Sequence, residues 1–354
     1  MNDRIPRIDQ IVEAAIEQHI FPGAVVLVAD GPTILHLAAY GTTMYASYAS
    51  NSPAVTIDTI YDIASLTKLF TATAALCLWE QSQIDLDASA ALYLPELQAK
   101  SVTVWHLLTH TSGLDLRLSV AAHAGQHMLI DAIYSAPLRQ TPGSAVAYTN
   151  INSLLLGEIV ARVVGMPLDA AIDRLIIQPL GLHTTCFQPP SALQHRIAPT
   201  EHDTEWRQQL IHGTVHDESA HVLGGIAGHA GLFSTASDLH KFCMAWMGNT
   251  SAQTNPMSTQ SPLLLWPETI ALATSNQTVG LGLACGLGWM IDRPNVMGSA
   301  PTGTFGHTGF TGPAIIICPQ LQRIIIVLNN RVFPRRGPST HHSIIAAIVD
   351  TALS

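Results

Sequence analysis

Four short apolar runs, two near each end of the chain, limit most strongly what this sequence can fold into. They read GAVVLVAD and TILHLAAYG within residues 23–41, and GPAIIICP and RIIIVLNN within residues 312–330. Each run has the length and the β-branched composition of a strand, and turn residues separate the two members of each pair. The pattern predicts one hairpin near each end of the chain, with turns at residues 30–32 and 319–322.

Helical patterns lie outside and between these hairpins. Apolar residues recur at helical spacing in residues 8–19 and in the C-terminal segment SIIAAIVDTAL. Further segments with helical periods occupy the middle of the chain, at residues 65–81, 103–109, 151–164 and 168–178.

The simplest packing joins both ends of the chain into one antiparallel sheet flanked by helices, with the helical middle inserted as a second lobe. The sequence therefore predicts an α+β fold in one compact unit. Its α/β lobe comprises residues 1–62 and 216–354, and its helical lobe comprises residues 63–215. A site is expected in the cleft between the lobes, and an exposed loop at residues 248–262.

Composition excludes several classes of protein. The 354 residues are 47% hydrophobic but only 12% charged, against roughly 25% charged in an average domain. A formal net charge of −9, with no basic cluster beyond Arg331, Arg335 and Arg336, argues against a nucleic-acid partner. The apolar runs are strand-sized and fall well short of the roughly 18 residues of a spanning helix, so no membrane segment is expected.

The N-terminal segment and the cysteines bear on location. The first residues carry charges of both signs and no apolar core of a secretory signal. Five widely spaced cysteines form no disulfide or metal pattern. We therefore expect a cytoplasmic protein, and the sequence leaves its oligomeric state open.

A single lysine interrupts the apolar segment YDIASLTKLFTATAALCLWE, residues 61–80. Ser65 precedes Lys68 by three residues, which places both on one face near the start of a helix that Asp62 can cap. The N–H groups at a helix start favour an oxyanion, and burial among apolar residues favours a neutral lysine that can accept a proton. The pair therefore has the chemistry of a serine nucleophile beside its base.

An isolated S-x-x-K pattern more often reflects a capping serine and a lysine that reaches solvent. Here the chain has only three lysines, at positions 68, 100 and 241, and no acidic residue follows Lys68 within eleven positions. Two further patterns accompany it. Tyr148-Thr149-Asn150 stands between a Pro-Gly turn and a helix, and His307-Thr308-Gly309 stands at the entry to an apolar strand.

In this order the three patterns resemble the motifs of the serine β-lactamase and penicillin-binding-protein superfamily, nearest to class C β-lactamases and their esterase, peptidase and amidase relatives. The resemblance extends over nearly the whole chain through the segments LLTHTSGL, PGSAVAYTN, PLGLHTTCF and AGLFSTASDLHKF. It implies a β-lactamase/transpeptidase-like fold with the site between the lobes, and no cofactor or metal.

The resemblance also implies roles for individual residues. Ser65 corresponds to the acylated nucleophile, and Lys68 and Tyr148 to the groups that transfer the proton. Asn150 corresponds to the residue that binds the substrate carbonyl. The His307-Thr308-Gly309 motif corresponds to the substrate-binding strand, and the N–H groups of Ser65 and Phe310 to the oxyanion hole.

One departure concerns the substrate. The third motif of this superfamily commonly begins with lysine, whereas this chain has His307, whose ordinary pKa is about 6.5. Two alternatives remain: His307 reads a substrate carboxylate with a pH-dependent charge, or it is a neutral wall of the site. The segment TVHDESAHVLGGIAGHAGLFST resembles enzymes that act on peptidoglycan fragments.

These features predict a serine hydrolase with a small-molecule or peptide substrate, cleaving amide bonds of peptidoglycan-derived peptides as an amidase or D-Ala carboxypeptidase. The alternatives are a carboxylic-ester hydrolase, a weak β-lactamase, or a non-catalytic sensor on the same fold, against which Ser65, Lys68 and Tyr148 argue.

Histidines offer a competing metal hypothesis. His216 and His221 are five residues apart and miss the i, i+4 spacing of a zinc-binding helix. His123 and His127 have that spacing, but no third ligand lies nearby in the sequence. We therefore expect no metal site, and the sequence leaves the role of His216 and Asp217 open.

Overall fold

Short strands form three antiparallel sheets in a computed structural model that describes residues 4–248, 264–337 and 340–354. The strands are β1 (Gly23–Asp30), β2 (Thr33–Gly41), β3 (Tyr61–Asp62), β4 (Cys186–Phe187), β5 (Glu201–Asp203), β6 (Gln209–Ile211), β7 (Leu232–Ser234), β8 (Met290–Ile291), β9 (Phe305–Thr308), β10 (Ala314–Cys318) and β11 (Arg323–Asn329).

Six strands form the central sheet, in the order β2-β1-β11-β10-β9-β8. The hairpin of β1 and β2 and the hairpin of β10 and β11 join because β1 pairs with β11, from Ala24 opposite Asn329 to Asp30 opposite Arg323. The two ends of the chain therefore share one sheet, as the sequence predicts.

Helices surround this sheet and fill the middle of the chain. They are α1 (Arg4–Glu17), α2 (Thr67–Glu80), α3 (Ala90–Tyr93), α4 (Val104–Leu108), α5 (Leu118–Ala122), α6 (Gln126–Tyr134), α7 (Asn150–Val164), α8 (Leu168–Ile172), α9 (Gln178–Leu180), α10 (Glu218–Val222), α11 (Ala236–Trp246), α12 (Pro267–Ala273), α13 (Pro294–Met297) and α14 (His341–Leu353).

Both faces of the central sheet are buried, which explains why its strands are apolar at consecutive positions. Side chains alternate across a strand, so Val26 faces an apolar cluster with Val12 of α1 and Ile348 of α14. Leu27 faces the opposite, larger cluster, which continues into α2, α7 and α11. The sheet and the helical middle of the chain thus share one core.

The predicted hairpins and the α+β fold class are confirmed, and helices lie in each predicted helical segment. The helix predicted at residues 168–178 is interrupted, because a π-helical turn over Asp173–Ile177 separates α8 from α9. The lobe boundaries at residues 62/63 and 215/216 stay a prediction. The predicted loop at 248–262 lies outside the described residues apart from Gly248.

Two further observations concern the expected location. Over the described ranges, no helix combines the length and the apolarity required to cross a bilayer. All five cysteines carry free thiols, and four of them are buried, Cys186 being the partly exposed one. The compartment itself stays a prediction.

Candidate active site

Ser65 lies at the start of a helix that is buried along most of its length. A 3₁₀ turn over Ala64–Leu66 leads directly into α2, and Thr67 to Leu78 are all buried. Asp62 stabilises this start, because its Oδ1 accepts a hydrogen bond from the Ala64 N–H at 2.8 Å. Ala64 has a φ of 45°, a strained value for a residue with a side chain, which such surrounding contacts must hold in place.

Lys68 is only 2% exposed and has three oxygen neighbours. Its Nζ lies 2.7 Å from Ser65 Oγ, 3.0 Å from Asn150 Oδ1 and 3.3 Å from the His229 carbonyl oxygen. The amide and the carbonyl oxygens can only accept, whereas the serine hydroxyl can also donate. When Lys68 is an amine, its two N–H groups can serve the two acceptors and its lone pair can face the Ser65 hydroxyl, so the geometry permits proton transfer between Ser65 and Lys68.

A close backbone approach and a hydrogen bond, both at Gly228, build the pocket around Lys68. A Cβ at Gly228 would lie 2.1 Å from the Ser153 carbonyl oxygen of α7, so only glycine fits there. Thr71 of α2 donates from Oγ1 to the Gly228 carbonyl at 2.8 Å. The segment that carries the His229 carbonyl is thus wedged between α2 and α7, which fixes the third neighbour of Lys68.

Tyr148 and Asn150 come from the other side of the pocket. Asn150 is the first residue of α7, and the centroid of the Tyr148 ring lies 5.1 Å from Lys68 Nζ. Tyr148 is 42% exposed, and its ring packs against His110 and His307, with centroid separations of 4.8 and 5.8 Å. The structure therefore brings Ser65, Lys68, Tyr148 and Asn150 together, as expected.

A buried polar chain supports Tyr148 from behind. Ser112 Oγ donates to Asn152 Oδ1 at 2.5 Å, and Asn152 Nδ2 lies 3.1 Å from His110 Nδ1. The amide can only donate to that nitrogen, so the neutral His110 ring carries its proton on Nε2. Burial and the charge of Lys68 lower the His110 pKa to about 3. The sequence indicates His110 and Ser112 only as parts of the framework segment LLTHTSGL, and it does not single out Asn152.

His307 is not a charged group of the site. It is 2% exposed, and burial, together with the charge of Lys68, lowers its pKa to about 3. Its ring lines a separate cavity of about 70 Å³ behind Tyr148, rather than the cleft that contains Ser65. Of the two alternatives that the sequence leaves open, this burial favours the neutral wall, because the fold buries a ring that the sequence places at a strand entry.

The pH dependence of substrate binding follows from this burial. Because the His307 pKa is about 3, the ring stays neutral from about pH 5.5 to 8, and the KM for an anionic peptide is expected to show no inflection near 6.5 from this residue. Steady-state kinetics across that range checks this, with a neutral ester as the reference. A KM that improves below pH 6.5 in the wild type but not in His307→Asn would contradict it.

The turn after His307 carries the predicted oxyanion-hole residue. The Gly309 N–H donates to the Pro313 carbonyl at 2.7 Å, and Thr311 Oγ1 donates to the Asp62 carbonyl at 2.8 Å, which pins the turn against the segment before Ser65. The Phe310 N–H finds no acceptor in residues 4–248, 264–337 and 340–354. This N–H is therefore available to a ligand, as an oxyanion donor must be.

Substitution of Gly309 is expected to damage this arrangement. A Cβ at position 309 would lie 2.7 Å from the Ile63 carbonyl oxygen, so either the turn or the Ser65 segment must shift. For Gly309→Ala we expect kcat to fall about 100-fold, the usual cost of one misplaced oxyanion donor. Gly337→Ala is the matched control, because nothing lies within 4 Å of that added Cβ. Equal kcat values for the two variants would exclude this role of the turn.

An ion network that the sequence does not indicate holds the Phe310 ring. The ring is 49% exposed and stacks on His216 at 5.6 Å, and His216 Nε2 lies 2.8 Å from Glu201 Oε2. Arg336 donates to both oxygens of Glu201 and pairs with Glu218 at 2.8 Å. Burial alone would raise the pKa of Glu201, but His216 and Arg336 lower it to about 2. His216 thus has a structural partner.

Asp217 supports the segment that touches Lys68. Its Oδ1 lies 3.0 Å from Nε2 of the buried His229 and accepts hydrogen bonds from Ser219 and from the Ala220 N–H. Burial opposes ionisation of Asp217, but His229 and these hydrogen bonds hold its pKa below the ordinary value. Among the described side chains, no group of three or more His, Cys, Asp or Glu residues is placed to hold a metal ion.

Most of the predicted site residues lie at one cleft of about 590 Å³. Of the predicted site residues, Ser65, Tyr148, Asn150, Thr308, Gly309 and Phe310 line it. Lys68 lies beneath Ser65, and His307 lies behind Tyr148. The volume suits a ligand the size of a short peptide, since ligand sites commonly enclose about 300 to 1,000 Å³.

Comparison with known proteins gives matches along nearly the whole chain. The family model described as Beta-lactamase matches residues 8–348. A protein of Escherichia coli K12, provisionally named D-alanyl-D-alanine carboxypeptidase, is 28% identical over 385 aligned positions, which cover 96% of this chain and 86% of that protein.

Solved structures show the same fold. EstCE1, described as a hydrolase with promiscuous acyltransferase activity, superposes with a TM-score of 0.77 and 22% identity over 99% of this chain and 98% of its own. The D-alanine carboxypeptidase AmpC of Burkholderia cenocepacia gives a TM-score of 0.74 and 21% identity, with 98% of each chain covered.

Proposed function

The chain belongs to the β-lactamase family and is a serine hydrolase of that type, and we propose that it cleaves amide bonds in peptidoglycan-derived peptides through an acyl-enzyme on Ser65. The observation that carries the proposal is the 2.7 Å contact between Ser65 Oγ and Lys68 Nζ at the floor of the cleft. This contact supports the proposal because 2.7 Å is short enough for direct proton transfer between a serine hydroxyl and an amine.

The first half of the reaction follows from this contact. Lys68 Nζ takes the Ser65 hydroxyl proton while Oγ attacks the substrate carbonyl carbon. The carbonyl π electrons move to the oxygen, and the N–H groups of Ser65 and Phe310 stabilise the resulting oxyanion. Asn150, whose Oδ1 already contacts Lys68, orients the substrate carbonyl through its amide N–H group.

The second half releases the amine and then the acid. The proton held by Lys68 passes through Tyr148 to the leaving nitrogen, the C–N bond breaks, and the acyl group stays on Ser65. Water then attacks the ester, with the same pair removing its proton, and Ser65 regains its hydroxyl hydrogen. The path through Tyr148 is supported by the 5.1 Å distance from Lys68 Nζ to the centroid of its ring and by the place of Tyr148 in the lining of the cleft.

A peptide substrate is supported by the relative and by the shape of the site. The Escherichia coli relative carries a carboxypeptidase name and aligns with 96% of this chain. The cleft is lined by side chains of both signs, namely Arg331, Arg336, Asp217 and Glu218. A short peptide offers both charges and several amides to such a surface.

A substrate panel tests the proposal. The panel contains muropeptides, D-alanyl peptides, short acyl esters and a chromogenic cephalosporin. For each substrate, the rate enhancement is kcat/KM divided by the uncatalysed rate constant, and it is measured for the wild type and for Ser65→Ala. The largest enhancement is expected for a peptide amide, and Ser65→Ala should abolish it.

The runner-up is a carboxylic-ester hydrolase, which the neutral His307 favours because no fixed charge stands at the third motif. Turnover of esters without detectable cleavage of any peptide amide would establish this alternative. The largest enhancement on the cephalosporin would instead identify a β-lactamase.

A further inference from the structure

Arg331 is a cation of the cleft that lacks a counter-ion. It follows β11 directly, and its guanidinium carbon lies 4.9 Å from the centroid of the Phe310 ring. Within the described part of the chain its side chain forms no hydrogen bond and no ion pair. The protein has a net charge of −9, so a half-buried arginine without a carboxylate is unusual in it.

The backbone holds Arg331 in a fixed relation to the oxyanion turn. The Arg331 N–H donates to Asn329 Oδ1 at 3.1 Å, and Asn329 Nδ2 donates to the Gly312 carbonyl at 3.2 Å. Asn330, next to Arg331, is anchored by hydrogen bonds to the carbonyls of Thr43 and Pro199, both at 2.8 Å. The backbone of Arg331 is therefore held beside the oxyanion turn, and its guanidinium contacts the Phe310 ring.

Other arginines that line the cleft differ from Arg331. Arg336 also faces the Phe310 ring, at 5.8 Å, but Glu201 and Glu218 neutralise it. Arg117 lies in an exposed position, where solvent screens its charge. Arg331 alone among these three combines partial burial, a fixed position and free N–H groups.

We propose that Arg331 binds a carboxylate of the substrate and supplies the positive charge that His307 does not provide. A guanidinium matches a carboxylate with two parallel hydrogen bonds, and partial burial strengthens the attraction. The guanidinium N–H groups of Arg331 are available to the ligand, because no described residue accepts a hydrogen bond from this side chain. The proposal rests on the proposed acyl-enzyme function and adds to it the substrate class, namely compounds with a free carboxylate.

Two matched pairs of ester substrates test this. In the first pair, one ester has a carboxylate in its leaving group and the other has a carboxamide at the same position. In the second pair, the two esters differ in the same way in the acyl group. Esters are used because their cleavage does not depend on whether amides are the natural substrates, so failure on amides leaves this test intact. The readout is the ratio of kcat/KM for acid and amide within each pair.

In the wild type at least one pair is expected to favour the acid by about 10- to 100-fold, the range for a hydrogen-bonded charge pair. Arg331→Met is expected to reduce that ratio below about threefold. Arg331→Lys keeps the charge but lacks the paired N–H groups of a guanidinium, so it is expected to give an intermediate ratio. Arg335→Met is the matched control: it removes the same charge four residues away, outside this cleft.

Retention of the full ratio in Arg335→Met, with its collapse in Arg331→Met, supports the proposal. Ratios near one in both wild-type pairs overturn it, as does a wild-type ratio that survives in Arg331→Met or disappears equally in Arg335→Met. Thermal unfolding of every variant checks that it is folded. Should Arg331→Met fail to fold, Arg331→Lys decides, since a ratio equal to that of the wild type would exclude recognition by the arginine fork.

Discussion

Replacing Ser65 by alanine is expected to lower kcat by about 10⁴- to 10⁶-fold on every substrate, because the loss of a nucleophile removes covalent catalysis altogether. The fold should survive, since Ser65 is half-buried and alanine fits its position in the 3₁₀ turn. Steady-state kinetics with an activated ester measures the loss. The variant also removes one neighbour of Lys68 Nζ but leaves Asn150 Oδ1 and the His229 carbonyl in place.

Ser119→Ala is the matched control for this variant, because Ser119 is an exposed serine that lines the same cleft. It is expected to retain activity within about twofold, as surface substitutions usually have small effects. Comparable losses in both variants would mean that Ser65 is a wall of the cleft and that the nucleophile must be sought elsewhere.

Changes to Lys68 and Tyr148 are expected to be strongly non-additive. If both residues transfer the same proton, Lys68→Ala and Tyr148→Phe each lower kcat/KM by about 10³-fold or more, and the double variant loses little beyond the larger single effect. We expect a shared role because Lys68 Nζ lies 5.1 Å from the centroid of the Tyr148 ring. Single-turnover kinetics of acylation measures the three variants on the same step.

Multiplication of the two single losses in the double variant would contradict a shared role and would assign the residues to separate steps. Lys100→Ala is the control for loss of a lysine, because its side chain is exposed and bonds to the Pro95 carbonyl. It should match the wild type, whereas Lys68→Ala leaves Asn150 Oδ1 and the His229 carbonyl oxygen without this donor and is therefore checked for stability.

Sequence patterns predict the sheet and the main helices because their periodicity records burial on a face. β1 and β11 are apolar at consecutive positions because both faces of the sheet are covered, which the strand-length runs already indicate. The sheet of β3, β7 and β4 has no such signal, since strands of two or three residues are too short to show a period.

Within the site, the sequence predicts residues that share a turn or a motif, such as Ser65 and Lys68. It does not predict contacts that the fold creates between distant segments. The His229 carbonyl reaches Lys68 across 161 residues, and a backbone carbonyl leaves no mark in the residue type. The contacts of His216 and Arg336 with the Phe310 ring are not predicted for the same reason.

His307 shows why a titration behaviour is hard to predict from a motif. Its ordinary pKa near 6.5 suggests a switch at neutral pH, but the fold determines whether the ring meets water. Burial and the nearby Lys68 lower the pKa to about 3, and we propose that Arg331, 24 positions later in the chain, supplies the positive charge instead.

Intact-mass analysis after reaction with a fluorophosphonate, followed by peptide mapping, tests the acyl-enzyme on Ser65 most directly. One adduct per chain is expected, located on the peptide that contains Ser65, and no adduct is expected on Ser65→Ala under the same conditions. An adduct on a different residue, or labelling of Ser65→Ala at the rate of the wild type, would contradict it.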